Sequence, residues 1–309
     1  VVIEHLSGYQ ARDHEVIDYQ MVELPQTGLQ FRGPLPHLEP GEYFTCLGAA
    51  QTFGCFCEQP YPQLLASATR RGALNLGYGG AGPRFFNRHA ELIEYANRGR
   101  FAIVQVMSAR SEDNNRFESL GLELLTRRRD GRQFSADQAW RDVLECRYAW
   151  RKTPWGRSLA RRICHWWGRQ DARRLVQQNR RNWLGSYQHL LSSLKVPKLL
   201  LWFSQRGPDY QEDYRDVLGL FGAFPQLVNR AMVEQVARDA DAYVECTTHR
   251  GMPQPLISRF DGQPVEIDLA RDRSHFEGRV WTQNVYYPSP EMHADAASLL
   301  AEKLAAQGW

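Results

Sequence analysis

The residues of this chain that could do chemistry lie in a few short stretches. His293, in Tyr287-Pro288-Ser289-Pro290-Glu291-Met292-His293, carries the side chain whose ordinary pKa suits proton transfer near neutrality, so it is a candidate general base. Arg110 follows a strongly apolar run. Flanked by Ser108 and Ser111, it could clamp a carboxylate, sulfate or phosphate in two-point fashion, or be used up in a salt bridge to Glu112 or Asp113. The glycines Gly77, Gly79, Gly80 and Gly82 would let backbone amides turn toward an oxyanion, although such turns also serve close strand–helix packing. Gln51, Thr52 and Asn75 add neutral polar groups in neighbouring loops, and His249 and Arg250 add a histidine and a cation in a later one. Cys55 and Cys57 are thiols near Gln51 and Thr52 that could serve as nucleophiles, but with no histidine beside them in sequence they read more simply as small buried hydrophobes. Cys246 and His249 lack the two further ligands of a zinc site.

These stretches sit at the ends of predicted elements. Runs of β-branched and aromatic residues bounded by Gly or Pro predict strands over residues 43–47, 73–76, 101–108, 198–204 and 241–246. Helical patterns fall between them, over 61–69, 84–98, 136–149, 159–194, 225–239 and 290–307. Alternation of strand and helix predicts an α/β domain with a parallel sheet, whose ligands bind beyond the carboxyl ends of the strands. The segment over 126–194 is too long for a simple crossover and is expected to be an inserted, Arg-rich helical subdomain. Residues 1–40 are expected to form an N-terminal arm, and residues 41–125 with 195–309 the α/β domain.

With 309 residues, a core can form without disulfide staples. No stretch is apolar enough for a transmembrane helix. No secretory signal is visible and the six cysteines show no CxxC spacing, so reduced thiols in a cytoplasmic protein are expected. The net charge of +3 hides an asymmetry: 34 Arg stand against 4 Lys, and residues 127–181 alone carry +11. That points to an anionic partner or to a solvated helical face. No Walker loop, zinc finger or other specific nucleic-acid motif is present.

Three blocks carry a resemblance: Gly48-Ala49-Ala50-Gln51-Thr52-Phe53-Gly54, then Asn75-Leu76-Gly77-Tyr78-Gly79-Gly80, then the stretch around His293. In order and spacing they resemble the SGNH (GDSL-type) hydrolases, and more closely a bacterial family of SGNH-like proteins with the same Gly-Ala-Ala-Gln-Thr-Phe-Gly turn. The resemblance implies a flavodoxin-like, three-layer α/β fold. It also exposes departures. Ala50 stands where that superfamily has its nucleophilic Ser, Ala49 where its Asp belongs, and Pro290 where the Asp partner of the histidine belongs. A Ser-His-Asp esterase cannot be assembled from these residues.

Three functions follow as expectations. The first is a group transferase, in which His293 deprotonates a carbohydrate or lipid-headgroup hydroxyl that attacks an anionic acyl or sulfuryl donor directly. The donor would be an adenine nucleotide 3′-phosphate, as a coenzyme A thioester or a sulfuryl nucleotide, held by the glycine loops and the Arg-rich segment. The second is a non-catalytic binding protein for an anionic glycan or nucleotide. The third is a hydrolase with a rearranged nucleophile. An oligomer is compatible with all three.

Overall fold

The computed structural model describes residues 13–145, 157–268 and 280–309. Cys146, the end of the helix expected over 136–149 and residues 1–12 of the expected arm lie outside them. The chain opens with a small antiparallel pair, β1 (Val22–Leu24) and β2 (Leu29–Phe31). Then come β3 (Tyr43–Gly48), α1 (Ala50–Phe53), α2 (Tyr61–Thr69) and β4 (Gly72–Gly77). These are followed by α3 (Pro83–Asn87), α4 (Ala90–Arg98) and β5 (Ala102–Gln105). A second antiparallel unit, β6 (Phe117–Ser119), β7 (Leu124–Arg127) and β8 (Gln133–Ser135), precedes α5 (Ala136–Leu144) and the long α6 (Arg157–Ser193). The chain closes through β9 (Lys198–Ser204), α7 (Val217–Phe221), α8 (Arg230–Ala237), β10 (Ala242–Thr247) and α9 (Pro290–Gln307).

The central sheet has the order β4-β3-β5-β9-β10 with every pairing parallel. Numbered by appearance this is 2-1-3-4-5, the flavodoxin-like order, with its switch point between β3 and β5. Its inner strands read as continuous apolar runs because both faces are covered. On one face Phe44, Ile103, Leu201 and Val244 pack against Tyr61 and Leu65 of α2 and Met292, Ala296 and Leu300 of α9. On the other, Leu47, Val104, Leu200 and Trp202 pack against side chains of α3 to α6 and of α8. The three layers match the expected fold class.

Some elements differ from expectation. The third sheet strand stops at Gln105 because side chains take over the next backbone groups. Met107 N–H donates to the Tyr187 hydroxyl at 2.7 Å, and Trp183 Nε1 donates to Met107 O at 2.9 Å. The helix predicted over 84–98 is two helices, broken where His89 leaves helical geometry (φ −121°, ψ 83°). Residues 124–135 form a strand hairpin rather than the start of a helical run. The C-terminal part of α6 is core: Val176, Trp183, Tyr187 and Leu191 are buried against the sheet, so it also serves as the crossover from β5 to β9.

Candidate functional site

At the carboxyl ends of β3 and β5 the chain builds a buried polar node. Gln105 Oε1 accepts from Ala49 N–H at 3.0 Å and from the Thr52 hydroxyl at 2.8 Å. Thr52 Oγ1 in turn lies 3.0 Å from the Tyr61 hydroxyl, which must donate since the threonine proton is already committed. Asn75 Nδ2 donates to Thr52 O at 3.0 Å and its Oδ1 accepts from Gly77 N–H at 2.9 Å. Gly77 has to be glycine: a Cβ there would lie 2.1 Å from Phe53 N. Thus Gln51, Thr52, Asn75 and Gly77 are brought together, and the polar groups of Asn75 and Thr52 are spent on holding the turn.

His293 closes the node from the first turns of α9, which opens with the Ser289 hydroxyl accepting from Met292 N–H at 3.2 Å. The imidazole is wholly buried between Tyr61 and Phe203, with ring centroids at 6.1 and 5.1 Å. Its Nδ1 accepts from the backbone N–H of Tyr61 at 3.2 Å, so in the neutral ring the proton sits on Nε2. Burial, with the Arg32 charge as a smaller contribution, pushes its pKa down to about 3. The ring is therefore neutral at physiological pH, and its Nε2 has no hydrogen-bond partner among the described residues. The Asp two residues on is engaged elsewhere: Asp295 accepts from Arg250 and from the Thr248 hydroxyl at 2.7 Å.

Ala50 is 6% exposed and packs with Cys55, Phe56, Leu256, Val265, Ile267 and Tyr287. Apolar packing fills the surroundings of Ala50. Cys55 and Cys57 are buried as well, and burial raises both thiol pKa values, which keeps the unreactive thiol form.

Sequence reasoning missed the residues that brace the node. Arg32, 3% exposed, donates to Gly54 O at 2.8 Å, Phe53 O at 3.2 Å and Glu58 O at 2.7 Å. Phe31-Arg32-Gly33-Pro34 was visible as part of an arm, but its target was not. Asp13 is 1% exposed, accepts from the Tyr19 hydroxyl at 3.2 Å and has its pKa pushed up to about 7 by burial. Tyr61 and Gln105 carried no signal beyond lying near strand ends.

The remaining candidates stand apart from this node. Arg110 pairs with Glu123 and with Asp137 at 3.3 Å, not with the adjacent Glu112 or Asp113. The Ser108 hydroxyl accepts from Arg110 N–H at 3.2 Å, and Ser111 is buried in the same loop. In the glycine loop, Tyr78 N–H donates to Gly48 O, Ala81 N–H to Tyr78 O and Gly82 N–H to Gly121 O, so these amides hold the turn. Gly79 lies in this turn, and Gly80 sits at φ +75° against Glu123. His249 is exposed, and Arg250 beside it is tied to Asp295 and to Glu291 O at 3.2 Å. Among the described residues no group of three His, Cys, Asp or Glu is placed to hold a metal ion, and no helix is long and apolar enough to cross a membrane.

The family model described as Domain of unknown function (DUF6473) matches residues 8–307. No curated protein matches the chain by sequence. Among solved structures, a carbohydrate esterase family 2 enzyme with a carbohydrate-binding domain from Corynascus thermopiles (Myceliophthora fergusii) is 12% identical, with TM-score 0.41 over 88% of this chain and 68% of that one. A catalytic mutant of Axe2, an acetylxylan esterase from Geobacillus stearothermophilus, is 10% identical, with TM-score 0.40 over 86% and 95%. LAE5, an alpha/beta hydrolase from the metagenome of Lake Arreo, Spain, is 13% identical, with TM-score 0.39 over 87% and 96%. At such identities the chemistry has to be argued from the residues themselves.

Proposed function

The chain belongs to the family described as Domain of unknown function (DUF6473), and on that premise we propose that it is a non-catalytic binding protein for an anionic glycan, built on a flavodoxin-like scaffold that resembles the SGNH hydrolases. One observation carries this reading. The Tyr61 N–H occupies the lone pair of His293 Nδ1, leaving Nε2 as a proton donor where a general base needs an acceptor. The wrong tautomer costs a serine-protease triad about four orders of magnitude. Here the nucleophile and the orienting carboxylate are absent as well. What remains at the strand ends has the character of a structural brace, and the anionic partner suggested by the Arg-rich composition is bound elsewhere.

The test is turnover by the full chain on an aryl acetate and an acetylated xylo-oligosaccharide, and acetyl transfer from acetyl coenzyme A to a sugar. The reading expects no turnover above background. Turnover that His293→Ala abolishes would overturn it.

A second reading, direct transfer from an anionic donor to a hydroxyl, is favoured by the buried and unpaired Gln105 Nε2 of the node and by Gln51 Oε1, buried and unpaired beside Thr52 in sequence. Buried polar atoms without partners are rare and mark sites that act or hydrate. On this reading the node opens to admit a hydroxyl and His293 exchanges its tautomer. The same transfer assay separates the two readings.

A further inference from the structure

The face of the molecule formed by α3, the loop after β5, the β7–β8 turn and the C-terminal half of α6 holds a cleft of ≈ 1070 Å³. That is at the upper end of ligand-site sizes, roughly 300–1,000 Å³. Four arginines line it, Arg84, Arg88, Arg128 and Arg181, against one acid, Asp113. Arg84 and Arg128 both bridge to Asp113, each at 3.2 Å, and are thereby held in place. Arg88 and Arg181 are exposed and have no carboxylate within bridging distance among the described residues. Arg84 also meets Glu112 and Arg128 also meets Glu118, each at 3.5 Å, so the uncompensated positive charge of the lining rests on Arg88 and Arg181.

The neutral lining is equally selective. Asn87, Gln178, Asn182 and Ser186 contribute amides and a hydroxyl, and Asn87 Oδ1 is buried with no protein partner while its Nδ2 donates to Ser186 O at 2.9 Å. No aliphatic side chain and no Phe, Tyr or Trp lines the cleft, whose aromatic member is His189, so it offers no apolar core for a protein partner. Gly185 lies in the middle of α6, where glycine weakens a helix. A Cβ there would meet nothing within 4 Å, so packing does not require the glycine.

We infer that this cleft binds an anionic oligosaccharide, with the arginines on its carboxylate, sulfate or phosphate groups and the amides on its hydroxyls. The inference rests on the binding-protein reading above and assigns it a location away from the strand ends. The anion is read by charge and the sugar by paired donors and acceptors, since an amide both gives and takes a hydrogen bond.

The test is calorimetric titration of the full chain with three probes: a sulfated heparin tetrasaccharide, tetragalacturonate and inorganic tripolyphosphate. At least one sugar probe should bind more tightly than tripolyphosphate. The double variant Arg88→Ala/Arg181→Ala should weaken that binding by about tenfold or more. Gly185→Trp, which fills the floor from an exposed helix position, should abolish it while the melting temperature holds. Sugar binding unchanged in both variants would overturn the cleft and leave the binding-protein reading standing. Tripolyphosphate binding as tightly as the sugars would overturn the sugar assignment alone. No binding of any probe would overturn cleft and reading together, and turnover of an ester or acetyl donor would overturn the reading.

Discussion

The backbone N–H of Tyr61 donates to Nδ1 of His293 at 3.2 Å, and that one bond decides what the histidine can do. It places the neutral ring's proton on Nε2, inside a site that burial keeps uncharged. A catalytic histidine of the triad kind has the opposite arrangement, Nδ1–H held by a carboxylate and Nε2 open as base.

Adding a hydroxyl does not therefore rebuild an esterase. Ala50→Ser is expected to leave aryl acetate hydrolysis at background, because the new hydroxyl meets no base, and to lower stability by about 1–3 kcal/mol if its hydroxyl goes unpaired in the apolar cluster. Measured hydrolysis above that of the unmodified chain would contradict this.

Glu112 makes stability depend on pH. It is 2% exposed, bridged by Arg84 at 3.5 Å and by the Ser186 hydroxyl at 3.3 Å, and burial outweighs both partners to push its pKa up to about 7 from 4.5. A raised folded-state pKa means the folded chain holds the proton more tightly. The stabilisation is therefore complete below pH 4.5 and lost as pH rises through 7, on the order of 3 kcal/mol in all. The melting temperature of Glu112→Gln should exceed that of the unmodified chain by more at pH 8 than at pH 5. An equal gap at both values would refute it.

His293 acts in the opposite sense. Its folded pKa of about 3 lies below the ordinary 6.5, so the unfolded chain takes up the proton first as pH falls. Its contribution is present above pH 6.5 and lost progressively toward pH 3. His293→Gln should flatten the acid limb of a stability profile, and an unchanged acid limb would show that the ring is not held neutral.

Arg32→Ala should cost about 3 kcal/mol, because three carbonyls, that of Gly54 buried and those of Phe53 and Glu58 partly so, lose their donor at once. Thermal unfolding reads this directly. Arg32→Lys should recover only part of the loss, since one ammonium cannot reproduce a fork reaching three acceptors.

Two glycine-to-alanine changes should have opposite signs. Gly77→Ala forces a methyl group onto the Phe53 backbone and should destabilise by about 1–3 kcal/mol. Gly185→Ala meets open space and should stabilise α6 by about 0.5–1 kcal/mol. Equal effects in denaturant titrations would contradict the packing described.

The five sheet strands and α9 were legible because their signals are local: apolar runs such as Leu199 to Phe203, and a Ser289-Pro290 helix start. The chemistry was not, because it is set by contacts far apart in sequence. Arg110 was read as an anion clamp or as the partner of Glu112 or Asp113, yet the acids it meets, Glu123 and Asp137, arrive on β7's approach and on α5. The tautomer of His293 depends on Tyr61, 232 positions away. The arginine cleft draws on α3, the loop after β5, the β7–β8 turn and α6, so no single window of sequence contained it. The resemblance drew attention to Ala50, but its burial among Leu256, Val265, Ile267 and Tyr287 was not readable.

The most direct measurement is the ¹⁵N chemical shifts of the two ring nitrogens of His293, recorded from pH 5 to pH 8 on the full chain. The account predicts a protonated Nε2, an unprotonated Nδ1 and no titration across that range. A protonated Nδ1, or a ring that titrates near neutrality, would contradict it and return His293 to the role of a base.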